Sequence, residues 1–144
     1  MALICDTSGI YALYDMSDSQ HAAVAAVVES EPGALYLPVI LLAEIDYLLH
    51  ERLGADAALE FVEAVEQGDF TLVPLLEPDV KRCRELVAQY RDLHIGLADC
   101  SIVAAAERLQ VYRLLTLDHR HLRAVTPRNY SHFSLLSADA TGPD

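Results

Sequence analysis

Short apolar runs alternate along the chain with longer stretches in which apolar residues recur every three to four positions. Ala2–Cys5 is an apolar run that stops at Asp6-Thr7-Ser8, as a buried parallel strand does ahead of residues that cap a helix. Ser17–Glu31 carries Ala23, Val24, Val27 and Val28 at helical spacing and ends before Pro32-Gly33. Ala34–Leu37 reads as a second strand. Pro38 then opens a helix from Val39 to about Leu53, closed by Gly54. Ala55–Glu66 is a further amphipathic helix. Phe70–Leu76 is a third strand whose internal proline marks its end or a sheet edge. The pattern predicts helices over Pro78–Leu93, Leu97–Leu109 and His119–Ala124, and strands over Arg113–Leu117 and Phe133–Leu136. Strands alternating with helices predict an α/β fold, a mostly parallel sheet of four to five strands covered on both faces.

The length of 144 residues fits one domain, placed at residues 1–136, with 137–144 expected as a flexible polar tail. At 53% hydrophobic and 22% charged residues, the chain is too apolar for a disordered acidic segment. Its apolar runs are too short to span a bilayer, and the N-terminus lacks the basic and apolar regions of a secretory signal. Cys5, Cys83 and Cys100 are an odd number without metal-ligand spacing, which suits reduced thiols in a cytoplasmic protein. The net charge of −12 argues against a nonspecific nucleic-acid coat. It is unevenly spread: the only base in residues 1–80 is Arg52, whereas Lys81, Arg82, Arg84, Arg91, Arg113, Arg120, Arg123 and Arg128 all follow.

One anomaly recurs. Asp6, Glu44, Asp99 and Asp118 each sit alone inside an apolar run. Glu44 has Ile40, Leu41, Tyr47 and Leu48 three and four positions away, so it is expected on the face that packs against the sheet. Asp6 and Asp118 follow strands, and ligands of open parallel sheets bind beyond the carboxyl ends of strands. An isolated buried carboxylate is costly, and several together repel one another. A hard dication such as Mg²⁺ or Mn²⁺ resolves both problems. The bland alternative for each acid is a helix cap, a turn or a structural ion pair. Thr7, Ser8, Ser101 and Thr116 lie within two residues of an acid, where their hydroxyls can orient carboxylates. Arg120 and Arg123, close after Asp118, are the better placed of the basic residues for phosphate contact.

Asp6-Thr7-Ser8, Ala43-Glu44-Ile45, Ile95-Gly96-Leu97-Ala98-Asp99-Cys100 and Leu115-Thr116-Leu117-Asp118-His119-Arg120-His121-Leu122 resemble, in order and spacing, the motifs of PIN-domain nucleases. Within that family they are similar to the VapC toxins of VapBC toxin–antitoxin pairs. Leu122 stands where many relatives have Phe. The resemblance implies a three-layer α/β/α PIN-like fold and a Mg²⁺-dependent endoribonuclease, with Mn²⁺ as substitute. Asp6, Glu44, Asp99 and Asp118 would hold the ion, and the products would carry 5′-phosphate and 3′-hydroxyl ends. It implies a structured RNA substrate, such as the ribosomal sarcin–ricin loop or a tRNA, and inhibition of translation. It also implies a cognate VapB-type antitoxin that offers a basic side chain to the acidic pocket. A homodimer is implied too, with Tyr47, Leu48 and Leu49 as candidate interface residues. His119 and His121 are expected to be exposed or RNA-contacting, with no part in holding metal.

Other readings fit less well. A dehalogenase-type phosphatase needs a second Asp two residues after the first, and Ser8 stands there. No P-loop or glycine-rich dinucleotide fingerprint is present. A noncatalytic PIN-like binding module would have no use for four intact carboxylates.

Overall fold

The computed structural model describes residues 1–141. Its strands are β1 (Leu3–Cys5), β2 (Leu35–Pro38), β3 (Thr71–Val73), β4 (Arg113–Leu115) and β5 (Ser134–Leu136). All pairings are parallel, in the order β3-β2-β1-β4-β5. Leu3, Ile4 and Cys5 are all fully buried. Successive strand residues point to opposite faces, so burial of all three means that both faces of β1 are covered. The result is the expected three-layer α/β/α arrangement, with β1 at its centre.

The helices are α1 (Thr7–Tyr14), α2 (His21–Ser30), α3 (Leu42–Leu53), α4 (Ala55–Glu66), α5 (Glu77–Gln89), α6 (Leu97–Leu109) and the short α7 (His119–Leu122). Helices α4 and α6 have the boundaries their periodicity predicts. The segment Ser17–Glu31 begins its helix only at His21. Before it, the carboxylates of Asp15 and Asp18 accept the backbone N–H groups of Ser17 and Gln20 and hold turns. Val39–Leu41 form a 3₁₀ turn that leads into α3. Strand β3 stops before Pro74, which has no N–H for the ladder, and it lies at the sheet edge, as that proline predicts. Pro78 lies in the first turn of α5, and the Asp79 carboxylate accepts the Leu76 N–H there (2.9 Å).

Helices α5 and α6 are joined by two guanidinium–carboxylate pairs. Arg82 Nε donates to Glu107 Oε1 (2.6 Å), and Arg108 Nε donates to Asp79 Oδ1 (3.1 Å). Arg82 of α5 and Arg108 of α6 are thus neutralised within the fold, while Lys81 and Arg84 of α5 have no carboxylate within ion-pair distance among the described residues. Arg113 Nη1 donates to Glu31 Oε2 (2.6 Å), tying the end of α2 to the start of β4. Cys5, Cys83 and Cys100 are free and buried. Burial and the neighbouring Asp6 push the Cys5 thiol up to about 12, which keeps it protonated and unreactive. Among the described residues, no helix is long and apolar enough to cross a membrane.

The segment expected as a tail from Ser137 includes a 3₁₀ turn, Ala138–Thr141. Asp139 in it accepts from Arg123 Nη1 (2.8 Å) and from the Leu135 N–H (2.7 Å). The rest of that segment, 142–144, lies outside the described residues.

Candidate active site

The sheet order places a topological switch between β1 and β4. The chain winds outward from β1 to β2 and β3, then crosses back to β4 beside β1. Connections leave the carboxyl ends of β1 and β4 in opposite directions and open a crevice there. Asp6 follows β1, Asp118 follows β4 by three residues, and the Asp6 N–H donates to Leu115 O (3.0 Å). Helix α1 sits tightly on this junction. A Cβ at Gly9 would lie 2.5 Å from the Leu115 carbonyl oxygen, so only glycine permits the approach.

Asp6, Glu44, Asp99 and Asp118 all line one open cleft of about 550 Å³. Each sits at the positive end of a helix. Asp6 caps α1, with Oδ1 accepting the Thr7 N–H (2.8 Å). Asp118 caps α7, with Oδ1 accepting the Arg120 N–H (3.2 Å). Glu44 and Asp99 lie in the first turns of α3 and α6. Helix N-termini favour negative charge, which is how the fold tolerates so many acids together. The capping role and the cleft role of Asp6 and Asp118 therefore coexist.

The hydroxyls divide. Thr116 Oγ1 donates to Asp6 Oδ2 (2.8 Å) and accepts the Asp118 N–H (3.0 Å). Ser8 Oγ contacts Asp6 Oδ2 (3.2 Å) and accepts the Leu117 N–H (2.9 Å). Thr7 is buried beside the cleft, and its Oγ1 has no hydrogen-bond partner. Ser101 departs from expectation. Its hydroxyl donates back to the Ala98 carbonyl (2.6 Å), one turn earlier in α6, and the residue borders a separate small hollow beside Pro38 and Val73. It makes no contact with the acids, because α6 turns it away from Asp99.

Burial raises the Asp6 carboxyl above the usual carboxylate range. Hydrogen bonds from Thr116, Thr7 and Ser8 work against this, and the charge of Asp118 adds to it. Asp99 is raised by burial and by the charge of Asp6, with the His121 bond opposing and Asp118 adding. Asp6, Asp99 and Asp118 are thus close enough to repel one another.

Three expectations need correction. Glu44 is exposed at the cleft and does not pack on the sheet. Leu41, Ile45 and Leu49 form the buried stripe of that segment, and Glu44 lies one step round the helix, in a stripe with Leu48 and Arg52 that faces the cleft. Leu49 is fully buried, which removes it from any interface, while Tyr47 is 65% exposed. Arg123 is exposed but paired with Asp139, a partner that a phosphate would have to displace, whereas Arg120 is exposed and bonded to Asp118 only through its backbone N–H.

His121, expected to be exposed or RNA-contacting and apart from any metal, lies instead half-buried against the acids. Its Nδ1–H donates to Asp99 Oδ2 (3.0 Å). Ligand atoms of Asp99, Asp118 and His121 lie within 4.8 Å of one another. The signal was available, since His121 follows Asp118 by three positions at the start of a helix. Asp18, Tyr11 and Arg52 also line the cleft. Arg52 lies eight residues after Glu44, the spacing that keeps both on one helix face.

Two of the four acids, Asp99 and Asp118, come together with His121, while Asp6 and Glu44 line the same cleft outside that group. Carboxylate oxygens with one imidazole suit a hard divalent cation, and Asp6 and Asp99 carry charge that burial and mutual repulsion disfavour.

The PIN-domain family profile matches residues 3–126. Ribonuclease VapC26 of Mycobacterium tuberculosis is 33% identical over 134 residues, 93% of this chain and 99% of that protein. The fold is similar to that of the Mycobacterium tuberculosis toxin VapC20, described as cleaving the sarcin–ricin loop. The TM-score is 0.73 at 19% identity, over 81% of this chain and 89% of that one. It is also similar to VapBC2 of Rickettsia felis, solved bound to a promoter DNA fragment, with a TM-score of 0.67 at 12% identity over 94% and 97% of the two chains. FitAcB of Neisseria gonorrhoeae has a TM-score of 0.62 at 23% identity, over 83% and 88%. With its carboxylates gathered at the β1/β4 crevice, the chain belongs to the PIN-domain family and, within it, to the VapC-type ribonucleases.

Proposed function

We propose that this ribonuclease is a Mg²⁺-dependent endonuclease, with Mn²⁺ as substitute, and that it acts as the toxin of a type II toxin–antitoxin pair in the cytoplasm. Its substrate is a structured RNA, the sarcin–ricin loop or a tRNA, and its cleavage stops translation. The observation that carries this reading is the meeting of Asp6, Glu44, Asp99 and Asp118 in one cleft at the switch point of the sheet.

Asp6, Glu44, Asp99 and Asp118 would hold the ion, with His121 beside Asp99 and Asp118. When bound, a hard dication neutralises charge on the scissile phosphate and supplies a more acidic water. The protein's own part is preorganisation. Thr116 and Ser8 fix the Asp6 carboxylate, and the Thr116 bond to the Asp118 N–H couples the two strand ends. His121 orients the Asp99 carboxylate through its hydrogen bond to Oδ2. The exposed Arg120 is placed to meet a phosphate.

A VapB-type antitoxin is the proposed partner, supported by the likeness to ribonuclease VapC26. A cleft lined by acids attracts a basic side chain from such a partner, in competition with the cation. A homodimer is proposed as well.

The test is brief expression without a partner, followed by mapping of new RNA ends, with Asp99→Asn as control. Wild type is expected to arrest growth and generate 5′-phosphate ends at a discrete site, and EDTA is expected to stop cleavage by the purified protein. Equal harmlessness of wild type and Asp99→Asn, with no Mg²⁺-dependent cleavage, overturns the reading.

A further inference from the structure

The arginines of this chain fall into two groups. Arg82, Arg108, Arg113, Arg123 and Arg128 are each paired with a carboxylate. Arg52 differs. It lines the same cleft as Asp6, Asp18, Glu44, Asp99 and Asp118, yet among the described residues no carboxylate lies within ion-pair distance of it. Its guanidinium carbon instead lies 5.2 Å from the centre of the Tyr11 ring. The Tyr11 hydroxyl donates to Asp15 Oδ2 (2.8 Å), so the ring beneath the cation is anchored from its far end.

This arrangement keeps a cation beside an acidic cleft without letting it collapse onto the acids. The aromatic face attracts the guanidinium but leaves its N–H groups unsatisfied by carboxylate. Cleft acids repel a polyanion until something offsets them, and Arg52 is the only base in the first 80 residues. The guanidinium is a planar fork that matches two phosphate oxygens. Arg52 stands two turns along α3 from Glu44, on the same face of the helix.

We propose that Arg52 is a substrate-binding residue, which grips a backbone phosphate of the RNA at the mouth of the cleft while Tyr11 holds it off the carboxylates. The inference rests on the ribonuclease reading and adds to it a specific anchor for the strand. Arg52 makes no contact with the acids, so its loss is expected to weaken binding and to spare the chemical step.

Arg52→Ala and Arg52→Lys are to be compared with wild type on a synthetic sarcin–ricin-loop hairpin RNA. Arg52→Ala is expected to raise KM about tenfold with kcat nearly unchanged, and Arg52→Lys to recover part of the loss. Binding of the hairpin is to be measured in an Asp99→Asn background, where turnover is off. There the slope of log affinity against log salt is expected to fall by about one on adding Arg52→Ala. A wild-type KM and salt slope in Arg52→Ala overturns the proposal. So does a loss of melting temperature and kcat together with an unchanged slope, which would make Arg52 a packing residue on Tyr11. Because binding is read apart from cleavage, a hairpin that binds through Arg52 but is never cut indicts the nuclease reading alone.

Discussion

Thr116 and Asp6, 110 residues apart in sequence, meet in a 2.8 Å hydrogen bond that joins the carboxyl ends of β4 and β1. The same Thr116 oxygen accepts the Asp118 N–H, so one hydroxyl sets the position of two cleft acids. Thr116 is fully buried and Asp6 nearly so, and removal of the hydroxyl leaves Asp6 Oδ2 short of a donor. Thr116→Val, which keeps the shape, is expected to lower Mn²⁺ affinity and cleavage by roughly 10- to 100-fold, and Thr116→Ser to retain most of both. Calorimetric titration with Mn²⁺ and a cleavage assay on the same samples check this.

Asp99→Asn is expected to abolish cleavage and to raise stability. The Asp99 carboxyl is raised by burial and by Asp6, so the folded state binds its proton more tightly than the unfolded chain does. Stability therefore falls as pH rises from the unfolded value through the raised folded value. Above that window the ionised Asp99 destabilises the metal-free fold, and an amide relieves it by about 1 kcal/mol. Below it, where Asp99 is protonated, wild type and variant are expected to converge. Denaturant midpoints in EDTA across the acid range will show the two curves separating as pH rises, or else refute the account.

How much of this was readable beforehand depends on how local the cause is. Helices α4 and α6 are bounded by their own periodicity and by Gly54, Gly96 and Gly68 nearby, so their limits follow from local sequence. The grouping of Asp6 with Asp118 was also readable, since both follow strands of one parallel sheet. The orientation of Glu44 was not. Four apolar neighbours surround it in sequence, and only the tertiary packing decides that Leu41, Ile45 and Leu49 take the core stripe and leave Glu44 to the cleft. The fate of the charges was hidden for the same reason. Nothing near Arg123 in sequence announces Asp139 as its partner, and nothing near Arg82 announces Glu107, because each pair is made by the fold.

Glu31→Gln is expected to destabilise the fold at neutral pH by about 2 kcal/mol. Burial pushes the Glu31 carboxyl up, but the bonds from Arg113 and from the Gly33 N–H outweigh it and hold it below its ordinary value. A depressed carboxyl contributes stability that is present above its unfolded pKa and is lost as pH falls through the folded one. The difference between wild type and Glu31→Gln is therefore expected to shrink on acidification. Melting curves of both proteins taken down the acid range measure it.

Gly9→Ala adds a Cβ 2.5 Å from the Leu115 carbonyl oxygen, and backbone cannot yield as a side chain can. Helix α1 must then move away from β4. That movement pulls Asp6 and Ser8 from Thr116 and from the Leu117 N–H. A stability loss of about 2 kcal/mol or more is expected, with cleavage falling further than stability alone explains. Comparing activity at a temperature where the variant is still fully folded separates the two effects. Wild-type activity there would mean that α1 and β4 do not need their close contact.

Added Mn²⁺ is expected to raise the melting temperature of wild type in a concentration-dependent way. A cation that binds only the folded chain stabilises it by about 2.7 kcal/mol at 100 times its dissociation constant. Part of that gain is relief of the repulsion felt by Asp6 and Asp99, which the metal-free fold bears alone. Protons compete for the same oxygens, and both carboxyls are raised, so the shift should weaken as pH falls toward their range. Asp6→Asn should start from a higher melting temperature in EDTA and respond much less to Mn²⁺. An equal response in the variant would place the ion somewhere other than the β1/β4 crevice.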